Sequence, residues 1–256
     1  MTALAKLLAG LEPVEGGFRG TIPADWLQGR TAYGGLSSAL ALHAAKASDT
    51  DLPPLRSALI AFVGPLAGAV TIEARRLRRG RNAAFIEATI TSEAGLGYRA
   101  TFVFMADVPS SIAFDRLQPS PHRPPAPDAD LYRGPTGFFT GNFELKDMKR
   151  DAGEAEFLRW GRLVERDNLD PETALIAVAD ALPPAAYQLH KGEGTMSSLT
   201  WIVNLLVPRP QTRDGWWLMR TVTDRAIGGY SSQHMTLWNA DGQPVVDAMQ
   251  GVAVFV

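Results

Sequence analysis

The order of apolar and polar residues predicts a buried helix and then a strand in the first part of the chain. Residues 31–48 run from two glycines into Ala and Leu at helical spacing, with almost no charge before Lys46. A helix that is apolar on nearly every side is a buried one. Residues 55–68 are apolar with partial alternation and contain Gly64-Pro65, so we expect the strand to end at that dipeptide.

Alternating apolar positions continue through residues 69–106 and predict a three-stranded antiparallel meander. Three alternating stretches are separated by Gly80 and by the pair Gly95 and Gly97. Glycines between alternating stretches are typical of hairpin turns. The pattern then changes at Pro109, and residues 109–141 are rich in Pro with little periodicity. That composition excludes a central strand or a long helix, so we interpret this segment as a surface linker.

The second part of the chain repeats the plan of the first. Two strand-like stretches precede residues 170–187, which predict an apolar helix with Asp170 as its N-cap and Pro171 in its first turn, ended by Pro183-Pro184. A strand that ends near Pro208 and a second three-stranded meander follow. Pro65 corresponds to Pro210 at an offset of 145 residues, and the other turn residues keep nearly the same offset.

This repeat predicts a duplicated domain. In each copy an antiparallel sheet would wrap one buried helix, which is the arrangement of a hotdog fold. The predicted fold class is therefore α+β, a double hotdog of two tandem domains. We place the N-terminal hotdog domain at residues 1–108, the linker at 109–141 and the C-terminal hotdog domain at 142–256.

Composition narrows the functions that this fold would serve. The chain has 256 residues, of which 46% are apolar, and a net charge of −2 with a pI near 6.1. That balance gives no reason to expect nucleic acid or an anionic membrane as a partner. Because the chain has no cysteine, disulfides, thiolate metal sites and Cys nucleophiles are excluded.

Metal sites, targeting segments and membrane spans are not indicated either. The four histidines form none of the spacings typical of a metal site, so no metal and no cofactor are expected. Residues 1–16 lack the basic start and cleavage site of a signal peptide and read as an amphipathic helix. Apolar runs of about 18 residues, the length that spans a membrane, do not occur. We therefore expect a cytoplasmic protein.

Four stretches resemble the acyl-CoA thioesterase II family of double-hotdog thioesterases, in matching order and spacing. They read TAYGGLSSALALHAA, RSALIAFVGPLAGAVTIEARRLRRGRNAAFIEATI, LTWIVNLLVPRP and LWNADGQPVVDAMQGVAVF. The resemblance covers nearly the whole chain. It implies hydrolysis of acyl-CoA, a role in fatty acid metabolism, and an acyl-CoA substrate as the main partner. Assembly into a homo-oligomer, a dimer or higher, is left open.

The resemblance also implies a catalytic set. An Asp on the second buried helix, a Thr on the following strand and a Gln on the last strand correspond here to Asp180, Thr200 and Gln250. The position of the Thr follows from its distance before Arg209-Pro210. Such a set would orient and activate a water molecule without a covalent step.

Each of these residues also has a plain structural interpretation. Asp180 would oppose the dipole of its own helix and could be an exposed residue at a helix end. Thr200 suits any strand, and Ser197 and Ser198 compete for its role. Gln250 is harder to explain as packing, because neither a turn nor a cap accounts for it. Its amide could donate to Asp180 while its carbonyl holds the water.

The start of the first buried helix is the candidate binding site for the thioester carbonyl. In a hotdog pair, the helix start of one half faces the sheet of the other. The backbone N–H groups of Tyr33, Gly34 and Gly35 would then stabilise the developing oxyanion, and glycines permit close approach of a substrate. A plain helix entry with tight packing explains the glycines equally well.

Departures from the family pattern keep two other functions open. The family's His before its first strand is Ser57 here, its Asp-His after the Thr is Ile202-Val203, and the acidic residue after the Gln is Gly251. These changes favour, as an alternative, a non-catalytic module that binds acyl groups or lipid. A hydratase or dehydratase is the other enzyme alternative, but the sequence around His43 and His190 does not show the Asp/His or Glu/His spacing typical of that chemistry.

Overall fold

A computed structural model describes residues 1–149, 151–192 and 194–256. The first half contains two α-helices, the short 3₁₀ helix Ala24–Trp26 and eight strands. The helices are α1 (Leu4–Ala9) and α2 (Gly34–Ala47). The strands are β1 (Glu12–Val14), β2 (Gly17–Ile22), β3 (Leu27–Gln28), β4 (Thr31–Ala32), β5 (Leu55–Phe62), β6 (Gly68–Arg79), β7 (Ala83–Ser92) and β8 (Gly95–Met105).

The second half repeats this order after an irregular connection. Its elements are β9 (Phe143–Asp147), β10 (Glu156–Leu163), α3 (Pro171–Ala179), β11 (Thr195–Leu205), β12 (Trp217–Ile227), β13 (Tyr230–Trp238) and β14 (Pro244–Phe255). The predicted start of α3 is confirmed, because Asp170 accepts a hydrogen bond from the Thr173 N–H at 2.9 Å and Pro171 is the first helical residue. None of the described helices is long and apolar enough to cross a membrane.

Twelve strands form one antiparallel sheet in the order β1-β2-β6-β7-β8-β5-β11-β14-β13-β12-β10-β9. Each half contributes the same sequence of neighbours, read outward from the centre. The halves join where β5 pairs with β11, with Leu59 opposite Ile202. The α+β double-hotdog prediction is confirmed, with the two hotdog sheets continuous through this central pair.

The sheet encloses α2 and α3, which lie antiparallel against each other. At one end of the pair, the Lys46 ammonium at the end of α2 binds Asp170 and Glu172 at the start of α3, at 2.6 and 2.5 Å. At the other end, the Tyr33 hydroxyl donates to the Ala177 carbonyl at 2.8 Å. The last turn of α3 is therefore placed beside the first turn of α2.

The N-terminal part of the fold differs from the sequence prediction. Residues 1–16 were predicted as an amphipathic helix, but only Leu4–Ala9 are helical and Glu12–Val14 form β1. Strand β2 was not predicted either, and it extends the sheet by pairing with β6.

The Pro-rich segment 109–141, predicted as a surface linker between the halves, is mostly exposed, and part of it is hydrogen-bonded to the second half. The Trp238 indole donates to the Gln118 carbonyl at 3.0 Å, and the Ser120 N–H donates to Gly242 at 2.9 Å. The exact domain boundaries stay a prediction.

Candidate active site

Asp180 lies at the junction of the two buried helices. It is the residue that ends α3, with φ −96° and ψ 8°, and it follows a helix whose last turn is fully apolar. Its carboxyl group faces the start of α2, where a Cβ atom added to Gly34 would come within 2.5 Å of Asp180 Oδ2. A negative charge on Asp180 is unfavourable at the C-terminal end of α3 but favourable at the N-terminal end of α2. The dipole of α2 therefore offsets the unfavourable interaction with the dipole of α3.

A chain of amide hydrogen bonds reaches Asp180 from the sheet. The Gln250 side-chain amide donates to Asp180 Oδ1 at 2.9 Å. The Gln250 carbonyl in turn accepts from the Gln233 amide at 2.6 Å, and the Gln233 carbonyl accepts from the Ala185 N–H at 3.0 Å. Gln250 and Gln233 are opposite each other on the paired strands β14 and β13. Gln250 therefore lies on the inner face of the sheet, with its amide directed at the carboxyl group.

The environment of Asp180 favours its protonated form. Burial raises the pKa of this carboxyl from the ordinary value of 3.8 to about 7, while the Gln250 amide and the Gly35 N–H act in the opposite direction. The residue keeps some accessible surface, although its carboxyl is surrounded by the two helices and the sheet. A carboxylate with a pKa close to neutral is suited to accept a proton from water at physiological pH.

Tyr33 and Gly35 hold the two helices in close contact. A Cβ atom on Gly35 would lie 2.5 Å from the Tyr33 ring and 2.6 Å from the Ala177 carbonyl, so only glycine permits this approach. Tyr33 is itself buried, and its ring stacks on Phe139 with centroids 4.3 Å apart. The Tyr33 side chain therefore packs against Phe139 and donates its hydroxyl hydrogen bond to α3. The Tyr33 N–H donates to the Trp26 carbonyl at 3.0 Å, so the expectation that it would stabilise the oxyanion is wrong. The backbone of Gly34 and Gly35 lies beside the Asp180 carboxyl.

Thr200 does not join this group. Its strand partners are Ala61 and Gly251, and its side chain is exposed. The next residue, Trp201, is paired with Gln250 and fully buried. Because neighbouring residues of a strand point to opposite faces, Thr200 lies on the outer face of the sheet.

A bulge in β11 brings a different hydroxyl to the inner face. Ser198 pairs with Val252 and Thr200 pairs with Gly251, so Leu199 has no partner in the ladder. Val252 is buried and shares its face with Gln250 two residues earlier. Residues directly opposite on paired strands share a face, which puts Ser198 on the side of Gln250. The alternation of the sequence could not reveal this shift, because the bulge adds one residue to β11 alone.

Gln233 was missed by the sequence analysis, although a signal for it exists. It is fully buried and in phase with the inward residues Met235 and Leu237 of β13. Gln250 is likewise in phase with Ala248 and Val252. Two glutamines at inward positions of consecutive strands predict a buried pair, because a buried amide needs partners for its donors and its acceptor.

The environment of His43 does not form the acid–base pair of a hydratase. The imidazole lies on α2 against the Phe18 ring, with centroids 5.2 Å apart. Burial lowers its pKa, and the more distant charge of Asp170 only partly opposes this. No carboxylate within hydrogen-bonding distance of His43 is found in the parts of the chain that the structure describes.

Solved structures similar to this chain share its fold over their whole length. A hot dog fold protein of unknown function from Alicyclobacillus acidocaldarius superposes with a TM-score of 0.85 at 21% identity, covering 100% of this chain and 99% of the other. A putative thioesterase II from Thermobifida fusca gives 0.82 at 19%, covering 100% and 98%. The acyl-CoA thioesterase II TesB2 of Mycobacterium marinum gives 0.77 at 17%, covering 98% and 97%. No curated protein sequence matches the chain significantly.

Sequence models of two family domains match consecutive parts of the chain. The acyl-CoA thioesterase N-terminal domain matches residues 22–105, and the acyl-CoA thioesterase C-terminal domain matches residues 114–254. Together they cover most of the chain in the order that the duplication predicts. The chain therefore belongs to the acyl-CoA thioesterase family.

Proposed function

We propose that the protein hydrolyses acyl-CoA thioesters to a free acid and CoA, with Asp180 as the general base. The observation that carries this proposal is the Asp180 carboxyl, whose pKa is raised to about 7 by burial and which is held by the Gln250 amide at 2.9 Å. Structural packing alone gives no reason to keep a carboxyl group in so costly a place. Family membership supports thioesters as the substrate class.

The proposed reaction is a direct attack by water. Asp180 accepts a proton from the water molecule as the water oxygen bonds to the thioester carbonyl carbon. The tetrahedral intermediate then collapses, the C–S bond breaks, and the CoA thiolate leaves with the bonding electrons. The proton on Asp180 returns to the thiolate or to solvent, so that the free acid and CoA are released and the carboxylate is restored.

Backbone groups at the start of α2 are the candidate oxyanion donors. The first turn of a helix has N–H groups without an intrahelical partner, and here the first intrahelical acceptor is used by the Ser37 N–H, which donates to Tyr33. The N–H of Gly35 is directed to Asp180. Gly34 and Leu36 therefore remain as donors for the carbonyl oxygen of the substrate, in a place where the helix dipole favours negative charge.

A panel of acyl-CoAs of increasing chain length, followed with a free-thiol reagent, tests the proposed function. We expect saturable release of CoA from at least one member of the panel. Tight binding of acyl-CoA without thiol release would replace the hydrolase by the non-catalytic binding module. Release that is equal to the blank, without binding, would contradict both functions.

The pH dependence of hydrolysis follows from the pKa of Asp180. Because the base must be deprotonated, kcat/KM should be low at pH 5, rise through a midpoint near the carboxyl pKa of about 7, and level off above it. The measurement is kcat/KM between pH 5 and 9 with the uncatalysed rate subtracted. A profile that is flat from pH 5 to pH 9 would show that Asp180 is not the titrating base.

The position of Ser198 predicts that it, and not Thr200, supplies the hydroxyl of the site. Replacing Ser198 by Ala should lower kcat by about tenfold, the effect of one lost hydrogen bond to a charged or reacting group. Thr200→Val is the matched control, since it removes an exposed hydroxyl from the same strand, and it should leave kcat within about twofold. The reverse order of effects would return the role to Thr200.

A further inference from the structure

Gln233 has the geometry of a residue that fixes the orientation of Gln250. Both side chains are shielded from solvent, with 0% of Gln233 and 2% of Gln250 exposed. The two amides are 2.6 Å apart, and Gln250 also contacts Asp180. Water cannot easily replace either partner at this depth, so the orientation of each amide is decided by its protein neighbours.

The direction of the hydrogen bonds between the two side-chain amides is set by a backbone N–H, which can only donate. A side-chain amide can present its oxygen or its nitrogen, and the two are hard to distinguish by position alone. The Ala185 N–H, however, is only a donor, and it lies 3.0 Å from Gln233. It is also the first N–H after Pro183-Pro184, which have none. Gln233 must therefore turn its carbonyl to Ala185 and its NH2 to Gln250.

The orientation of Gln233 also fixes which atom of the Gln250 amide faces Asp180. Since Gln233 offers an N–H to Gln250, the Gln250 carbonyl must face Gln233, and the Gln250 NH2 must face the carboxyl. If Gln250 turned over, its carbonyl oxygen would meet Asp180 Oδ1 at a 2.9 Å contact between two acceptors. That contact would disfavour the carboxylate and remove a donor that lowers the carboxyl pKa.

We propose that Gln233 is a positioning residue for the hydrolytic site, which keeps the Gln250 amide directed at Asp180 through the anchor at Ala185. This inference rests on the proposed function for its effect on turnover. Its effect on the carboxyl group does not depend on turnover. Gln233 itself contacts Gln250 and Ala185, and acts on Asp180 only through Gln250.

The test compares Gln233→Leu with the wild type and with Thr221→Val. Leu keeps the approximate volume and removes both hydrogen bonds. Thr221 is buried on the neighbouring strand β12, and its hydroxyl has no partner among the described residues, so Val there controls for the loss of a buried polar group. The first readout is the pKa of the Asp180 carboxyl, from a carbon-13 NMR titration. The second is kcat and KM for the best acyl-CoA.

We expect Gln233→Leu to raise the pKa of Asp180 by about half a pH unit or more and to move the midpoint of the kcat/KM profile with it. At pH 7, kcat should fall about tenfold with KM within about twofold. Thr221→Val should leave both readouts near the wild type. A residue with a merely structural role would lower stability without moving the carboxyl pKa.

An unchanged pKa of Asp180 in Gln233→Leu would overturn the inference. Should that variant not fold, Gln233→Met gives the same comparison with a more adaptable side chain. A shifted Asp180 pKa in a protein whose wild type hydrolyses no acyl-CoA would keep the positioning role and reject the proposed function. The two failures are therefore distinguishable.

Discussion

Asp180→Asn is expected to lower kcat for acyl-CoA hydrolysis by about 10²–10⁴-fold, the usual contribution of a positioned general base. Asn keeps the shape of the side chain and can still accept a hydrogen bond from the Gln250 amide. It cannot accept a proton from water at any pH used for the assay. The residual rate should therefore lose the rise through pH 7 that the wild type shows.

The control for this variant is Asp247→Asn. Asp247 lies on the same strand as Gln250 but on the outer face, where it is exposed. Its replacement likewise exchanges one carboxyl group for an amide, and it should leave kcat within about twofold. Thiol release by Asp180→Asn at the wild-type rate would remove Asp180 from the mechanism, whatever the result for the control.

Asp180→Asn should also be more stable than the wild type above neutral pH. The folded-state pKa of Asp180 is about 7, above its ordinary value of 3.8. Between pH 3.8 and about 7 the folded state therefore holds a proton on Asp180 that the unfolded state releases, and the stability of the wild type falls as pH rises through that range.

The stability advantage of Asp180→Asn over the wild type should be absent near pH 4 and complete near pH 8. It should reach about 1–3 kcal/mol, somewhat less than the full shift would give, because part of the group is accessible. Urea unfolding at the two pH values measures it.

The regular elements of the fold could be predicted because their patterns are long. α2 is apolar on all sides and the meander strands alternate over eight or more residues, so local pattern and tertiary environment agree. β1 and β2 are short and contain Pro13, Gly17 and Gly20. β2 is positioned by pairing with β6, and β1 by pairing with β2, and a local sequence pattern contains no information on these pairings.

The site was predictable to the extent that it depends on element ends and strand phase. Asp180 follows from the end of α3, and Gln250 from its position in the last strand. Thr200 was misplaced because it was assigned by its distance from Arg209-Pro210, although Trp201, Val203 and Leu205 are the inward residues of β11 and put Thr200 on the outer face. The inward position of Ser198 depends on the bulge at Leu199, and the sequence of β11 carries no Gly or Pro to mark it. Gln233 was overlooked because it becomes meaningful only when β13 and β14 are paired in register.

The two halves of the duplicated fold have diverged at the position of Gln250. The inward residues of β8, the strand of the first half that corresponds to β14, are Tyr98, Ala100, Phe102 and Phe104, all buried. Aromatic packing thus occupies the place where the second half has an amide. The first half instead supplies the start of α2, so that each half contributes a different part to one site at Asp180.

The close contact of the two helices gives the second large expected effect, because Gly35→Ala should destabilise the protein by about 3 kcal/mol, near the upper end for an overpacked core. The added Cβ would lie 2.5 Å from the Tyr33 ring and 2.6 Å from the Ala177 carbonyl. Tyr33 cannot move away freely, since its ring stacks on Phe139 at 4.3 Å. The helices must therefore separate, and the Gly35 N–H must shift away from Asp180.

The measurement for Gly35→Ala is the midpoint of urea unfolding together with kcat for the best acyl-CoA. A loss of this size corresponds to a decrease in Tm of roughly 6–12 °C for a chain of this length, and kcat should fall with it because Asp180 loses its position. Gly80→Ala is the matched control. A Cβ on Gly80 would meet only the Ala83 carbonyl, at an ordinary 3.6 Å, so its unfolding midpoint should stay near that of the wild type. Equal midpoints for the two variants would mean that α2 and α3 have room to adjust, and that glycine at position 35 is not required for their contact.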